Sequence, residues 1–335
     1  PYEVGMTGLL GLPSAFKAMH EADIVLLLGT DFPYVKFMPT DKVIIQIDDK
    51  PERLGRRAQL TRGFAGKIKD SLINLLPLIK INDNQDFLDK QLDFYQKVKN
   101  NLRSYVEDKG KENHISPEFV AETINQKANK DTIFTVDTGM CCVWGARYLE
   151  ATRERKLLGS FNHGTMANAM PMAIGAQLSH PDKQVIALCG DGGLSMLLGD
   201  IATIKQYNLP IKIIVLNNRS LGMVKLEMEV NGIPDNETDM VNPDFGLLAQ
   251  AFGINGINVT DPEKVETSIQ DALAIDGPVL VNIFTDPNAL AMPPKVGWEQ
   301  MKGMGVAMTK MMLDGNFKEV ADTITSNYKH IKEVL

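Results

Sequence analysis

Hydrophobic and polar positions change period several times along the chain, and each change marks an element. Residues 24–28 (Ile-Val-Leu-Leu-Leu) and 43–47 (Val-Ile-Ile-Gln-Ile) are short apolar runs closed by turn chemistry, Gly29-Thr30-Asp31 and Asp48-Asp49-Lys50-Pro51. Such runs predict strands. Helical spacing appears beside them at 14–21 and 68–76, so residues 1–80 read as β/α units feeding a parallel sheet. From 81 to 112 the chain turns polar, with Phe87, Leu88, Leu92, Tyr95 and Val98 at roughly helical steps, which predicts a surface helix and a linker. The alternation then resumes. Strands are predicted at 132–136, 185–188, 211–216, 256–259 and 279–284, and helices at 117–127, 167–178, 194–206, 245–252 and 262–274. Strands that are apolar at nearly every position belong to a sheet covered on both faces. Residues 113–290 are therefore expected to form a doubly wound α/β domain. The tail, 291–335, carries Pro293-Pro294, a Met-rich segment and a last helical pattern.

Length fits two domains: the chain has 335 residues, 44% hydrophobic and 23% charged. That composition excludes a disordered or collagen-like chain. A net charge of −7 speaks against a nucleic-acid partner. No apolar run approaches the ~18 residues of a membrane span. Cys141, Cys142 and Cys189 form no CxxC pair, and residues 1–30 carry no secretion signal. A reducing, cytoplasmic compartment is the expectation. The first residue is Pro1 rather than Met.

The strongest chemical signal lies in the second half. The run 185–189 leads straight into Gly190-Asp191-Gly192-Gly193, and the strand at 211–216 leads into Asn217-Asn218-Arg219-Ser220. Right-handed β-helix-β crossovers bring both segments to the carboxyl edge of one sheet. An acid and an amide there are hard oxygen ligands. Together with a backbone carbonyl, waters and phosphate oxygens they complete an octahedral Mg²⁺ shell. The glycines allow close approach of a diphosphate, and the following helix offers free N–H groups. A tight turn with no ligand is the plain alternative reading.

Gly190-Asp191-Gly192 with Asn218 at this spacing resembles the thiamine diphosphate motif of the thiamine-dependent decarboxylases and oxidases. The stretch GDGGLSMLLGDIATIKQYNLPIKIIVLNNRSLGMVKLEME is similar to the pyruvate oxidase group, above all to its bacterial pyruvate:quinone oxidoreductases. SFNHGTMANAMP (160–171), DGPVLVN (276–282), VGMTGLLG (4–11), LLGTDFPY (27–34) and PTDKVIIQID (39–48) extend the resemblance over most of the chain. It implies that Asp191, Asn218 and the carbonyl of Ser220 hold the metal. Gly192 and Gly193 would pack on the diphosphate, and Gly164, Thr165 and Met166 would meet the aminopyrimidine. Leu221, Gly222, Met223 and Val224 would continue the cofactor loop. Glu227 falls where the family turns a polar residue to the substrate. His163 is a second catalytic candidate, although a lone histidine is more often structural. Lys225 reads as a solvated lysine.

The same resemblance makes 1–80 the carboxyl-terminal part of a Rossmann-like, FAD-binding middle domain. Met6, Thr7, Gly8, Leu9, Gly29, Thr30, Asp31, Phe32, Pro33, Ile47 and Asp48 would then line the flavin nucleotide. No GxGxxG is present, and a cofactor-free domain is the alternative. The implied activity is oxidative decarboxylation of pyruvate to acetate and CO₂, with electrons passing through FAD to a membrane quinone. The implied assembly is a homotetramer. Rival readings are a phosphate- and O₂-dependent pyruvate oxidase, acetolactate synthase, and a non-catalytic assembly remnant. The family's first domain carries a glutamate for the aminopyrimidine, so the chain reads as a carboxyl-terminal fragment, inactive alone. Phe317, Val320, Ile324, Tyr328, Ile331 and Leu335 form an apolar stripe flanked by Lys318, Lys329, His330 and Lys332. This tail is expected either to pack on protein or to bind a membrane surface reversibly.

Overall fold

The computed structural model describes residues 2–290 and 298–334, arranged as two compact units divided between Asn101 and Leu102. Pro293-Pro294 and Leu335 lie outside the described residues, as do the side chains of Tyr328, Lys329, His330, Ile331, Lys332 and Glu333.

The first unit contains α1 (Pro13–Glu21), β1 (Ile24–Leu28), β2 (Val43–Asp48), β3 (Arg62–Ala65), α2 (Ile68–Leu75) and most of α3 (Asp86–Val106). The three strands are parallel in the order β1-β2-β3. Val25, Met38 and Ile44 form its buried core, joined by Met19, Leu27, Phe32, Ala58 and Leu60. On the opposite face of β1, Ile24, Leu26 and Leu28 are exposed. The polar region at 81–112 contains the predicted helix. It is longer than the sequence pattern showed, and the division between the units falls inside it.

The second unit opens with a small antiparallel pair, β4 (Gly110–Lys111) and β5 (His114–Ile115). Then come α4 (Pro117–Lys127), β6 (Ile133–Val136), α5 (Met140–Tyr148), β7 (Lys156–Gly159), α6 (Ala169–Ser179), β8 (Val185–Gly190), α7 (Asp191–Met196), α8 (Asp200–Gln206) and β9 (Lys212–Asn217). The chain continues through α9 (Gly222–Val230), α10 (Phe245–Ala251), β10 (Asn255–Val259), α11 (Val265–Ala274), β11 (Val279–Phe284), α12 (Trp298–Leu313) and α13 (Phe317–Val334). Six parallel strands stand in the order β10-β11-β9-β8-β6-β7. The chain steps from β6 to β7 on one side and returns to β8 on the other, so the strand order reverses beside β6. In open parallel sheets a ligand sits beyond the carboxyl ends at such a reversal. β8 and β9 are buried along almost their whole length, as the continuous apolar runs required.

Two expectations need correction. The helix at 194–206 is two helices, α7 and α8, because the chain turns at 197–199. The segment 222–224, read as loop, is the first turn of α9. Among the described residues of the tail's stripe, Val320 is buried with Thr323 and Asn327, while Phe317 and Ile324 are exposed. The packed face is held by hydrogen bonds. Asn327 Oδ1 accepts from Leu290 N, and the Ser326 hydroxyl donates to Asp286. α12 crosses α9 so closely that a Cβ on Gly303 would strike the Val230 carbonyl.

Candidate cofactor site

Loops leaving β6, β8 and β9 converge on one cavity of about 260 Å³. Thr138, Gly139 and Met140 line it from β6, Gly190 to Gly193 from β8, and Asn218, Ser220 and Leu221 from β9. β8 and β9 are neighbours, with Gly190 paired to Leu216. Asp191 and Asn218 therefore leave adjacent strands at the same edge, as their spacing predicted.

Asp191 is buried and accepts three hydrogen bonds. Gly192 N–H donates to Oδ1 at 3.0 Å, and Arg219 N–H and Asn242 Nδ2 donate to Oδ2 at 2.8 and 2.7 Å. Burial raises its pKa, and these donors oppose the rise. A carboxylate offers about four lone-pair directions, so one remains on Oδ1. Asn218 Oδ1 accepts from Ser220 N at 3.1 Å, which folds the loop back on itself. Arg219 between them sits at φ 55°, a left-handed conformation that a non-glycine residue adopts only where its surroundings impose it. The loop is tied down by the strand-like segment after α9: Met240 N donates to Arg219 O and Leu221 N to Thr238 O.

The opposite wall comes from the segment before α6. Met166 stands beside Gly192 and Gly164 lines the same cavity, while Ala167 takes φ 63°. A Cβ on Gly192 would meet Leu221 at 3.0 Å and Met166 at 3.3 Å; one on Gly193 would fall 2.4 Å from Asp137 Oδ2. Both glycines therefore leave a cradle that a side chain would fill. Asp137, at the end of β6, is pushed up to about 6, chiefly by burial, with the Ala169 backbone N–H at 2.8 Å pulling the other way. Burial also raises the Cys141 and Cys189 thiols and takes Cys142 to about 12, so none is a ready nucleophile.

Two family models match the chain. "Thiamine pyrophosphate enzyme, C-terminal TPP binding domain" covers residues 137–283, and "Thiamine pyrophosphate enzyme, central domain" covers residues 1–75.

The chain belongs to the thiamine pyrophosphate enzyme family.

Among its relatives, a Bacillus subtilis protein, YdaP, named as containing thiamine pyrophosphate, is 33% identical over all of this chain and 57% of its own length. The acetolactate synthase large subunit of Porphyra purpurea is 31% identical over 87% of the chain and 50% of its own length. That of Corynebacterium glutamicum is 30% identical over 87% and 48%. The chain thus spans about half the length of these curated relatives.

As a member of the thiamine pyrophosphate family, the chain offers a fitting donor set. No cluster of three or more His, Cys, Asp or Glu suited to a metal exists among the described residues. A cation here would rely on Asp191, the amide of Asn218, a backbone carbonyl and the diphosphate itself, which is hard oxygen chemistry suited to Mg²⁺. Ser220 contributes a buried hydroxyl that has no hydrogen-bond partner. Met223 and Val224 also reach the cavity lining. Glu227 is exposed on α9, and His163 and Thr165 are exposed before α6; none of the three lines the cavity. Lys225, read as solvated, is instead 4% exposed and paired with Glu319 at 2.5 Å and Asp235 at 3.6 Å. Asn242 escaped the sequence reading; its place between a strand-like segment and the Pro243-Asp244 helix start was the available signal.

In the first unit, Gly29 ends β1 at φ 60° and Asp48 ends β2 fully buried, with Oδ2 unpartnered. Gly8, at φ 97°, lies where a Cβ would press on Tyr34 and Phe32, and Ile47 is buried in β2. Thr7 keeps a buried hydroxyl without a partner, while Met6 is exposed and Leu9, Thr30 and Pro33 are half-buried. Asp31 is engaged by Arg57 and Arg56 at 2.9 and 3.1 Å, and the Arg57 hydrogen bond holds it below the ordinary carboxylate range.

Proposed function

We infer that this protein uses thiamine diphosphate and Mg²⁺ to decarboxylate pyruvate. The observation that carries this reading is the convergence of Asp191, Asn218 and Ser220 with the Gly192-Gly193 cradle on one cavity at the strand-order reversal. When bound, thiamine diphosphate supplies the electron sink that lets CO₂ leave a 2-oxo acid. The chain's own residues do the holding. Asp191 keeps one lone pair free for the metal because three donors fix its carboxylate. Asn218 is turned by its bond to Ser220 N. Met166, Leu221 and Met240 crowd the space beside Gly192 with apolar atoms, which excludes water from that wall.

Two fates for the remaining two-carbon unit follow. Joining it to a second 2-oxo acid is supported by the relatives named acetolactate synthase. Oxidation to acetate, through FAD in the first unit to a quinone, is supported by the segments 160–171 and 190–229 and by the buried, unpartnered Asp48 Oδ2 at the end of a parallel strand, suited to a ribose hydroxyl. A homotetramer and membrane-surface contact through α13 belong to that second reading. No helix among the described residues is long and apolar enough to cross a membrane.

The whole protein, supplied with Mg²⁺, thiamine diphosphate and pyruvate, tests both. Formation of a new C–C bond without an acceptor supports ligation. Reduction of an added dye without phosphate supports the oxidative fate, and a phosphate requirement with O₂ uptake supports an oxidase. Absence of CO₂ release would overturn the common step. Asp191→Ala should abolish cofactor retention, whereas Asp182→Ala, exposed before β8, should not.

A further inference from the structure

Four asparagine side chains form one continuous ladder along the carboxyl end of the six-stranded sheet. Asn242 Nδ2 donates to Asp191 Oδ2 at 2.7 Å and to Asn217 Oδ1 at 2.9 Å. Asn217 Nδ2 donates to Asn282 Oδ1 at 3.0 Å, and Asn282 Nδ2 to Asn258 Oδ1 at 2.9 Å. Asn258 Nδ2 ends the series on Asp244 Oδ1 at 2.7 Å. The ladder crosses β9, β11 and β10 in their order in the sheet, and Asn282 and Asn258 are direct register partners. Asn217 and Asn282 are buried to 1% and 0% exposure, in strands that are otherwise apolar except for Lys212.

A primary amide gives donors on one side and an acceptor on the other, so a row of them has a sense. Here the sense is imposed from both ends. Asp191 and Asp244, as carboxylates, only accept. Asp244 also caps α10 through Leu247 N at 2.8 Å, which holds it in place. With Asp244 accepting from Asn258, each amide behind it is oriented, and Asn217 presents its oxygen to Asn242. Asn242 must then point both N–H bonds outward, one of them at Asp191. A reversed Asn242 would put its oxygen against the Asp191 carboxylate, and the carboxylate would turn away from the metal position.

We propose that the ladder of Asn242, Asn217, Asn282 and Asn258, anchored on Asp244, is a set of positioning residues that orients the Asp191 carboxylate for its divalent cation. This rests on the metal assignment above and extends it about three strands from the site. Removing hydrogen-bonded support behind a metal ligand costs roughly 10- to 100-fold in affinity. A buried row left half-satisfied is expected to act over its whole length.

The test measures Mn²⁺ binding in the presence of thiamine diphosphate by electron paramagnetic resonance, alongside urea midpoints. Asn282→Leu breaks the ladder at its centre and is expected to weaken Mn²⁺ binding on the order of tenfold. Should that variant fail to fold, Asp244→Ser serves the same purpose at the exposed end. Serine still caps α10 but cannot reach Asn258, so Mn²⁺ binding is expected to weaken about threefold. Asp261→Ala removes a comparable cap, on the turn before α11, and should leave Mn²⁺ affinity unchanged. A second readout needs no metal: the side-chain amide resonances of Asn242 should shift in Asp244→Ser. Unchanged Mn²⁺ affinity in both ladder variants, or an unshifted Asn242 resonance, overturns the proposal. Failure of the wild type to bind Mn²⁺ with thiamine diphosphate overturns the metal assignment instead, and the resonance still decides the ladder.

Discussion

The two units use the same grammar of parallel strands and helices, yet they treat apolar sequence differently. In the second unit β8 and β9 are covered on both faces, and Leu188 is fully buried. In the first, β1 is just as apolar, but only Val25 and part of Leu27 turn to its core, and Leu26 is 40% exposed. An apolar run therefore specifies a strand but not how many of its faces are covered. The glycines differ as well. Gly193 abuts a buried carboxylate, while Gly29 would meet only the tip of the Ile68 side chain, at 2.6 Å. The charged groups complete the contrast: Glu229 is buried beside Lys225, while Asp31 pairs with arginines in reach of water.

The largest expected difference follows from burial. Leu188→Ala should cost about 3 kcal/mol in urea unfolding, while Leu26→Ala should cost under about 1 kcal/mol. Equal losses would show that the open face of β1 is covered in solution. Next come the glycines. Gly193→Ala drives a methyl into Asp137 and should cost about 1–3 kcal/mol, with loss of thiamine diphosphate binding by calorimetry. Gly29→Ala meets a flexible side chain in a left-handed conformation and should cost about 1 kcal/mol with that binding intact.

The smallest effect depends on pH. Burial raises Glu229 from 4.5 to about 7, so the native state holds this proton more tightly than the unfolded chain. Its contribution is fully present below about pH 4.5 and is lost as pH rises through 7. Glu229→Gln stays neutral throughout, so it should gain on wild type across that window, reaching about 1 kcal/mol at pH 8 by urea midpoint. The pair of Asp31 with Arg56 and Arg57 should respond instead to salt, since Asp31→Asn removes a solvated interaction. A flat Glu229→Gln difference from pH 5 to 8 would mean that the carboxylate is already compensated.

Much of this architecture was legible from local pattern. The run 279–284 and the helix at 117–127 match β11 and α4 residue for residue, because apolar continuity and a Pro start leave little choice. Asp191 and Asn218 were legible because strand ends carry their chemistry outward. What escaped had no local period. α5 was missed because Met140 to Gly145 is buried all round and lacks a polar face. β3 was missed because Arg62 to Ala65 is exposed throughout. Lys225 looked solvated because its partners, Asp235 and Glu319, arrive from distant sequence. The asparagine ladder is written as isolated residues, Asn217, Asn258 and Asn282, each on a different strand, and only strand order joins them.

The central claim is that Asp191, Asn218 and the Ser220 carbonyl hold one divalent cation. Crystals grown with Mn²⁺ and thiamine diphosphate test it through the metal's anomalous signal. The expected result is one peak in the cavity after β8, about 2.1 Å from an Asp191 carboxylate oxygen, Asn218 Oδ1 and the Ser220 carbonyl oxygen. Crystals that contain thiamine diphosphate but show no peak there, or a peak ligated without Asp191, would contradict the account.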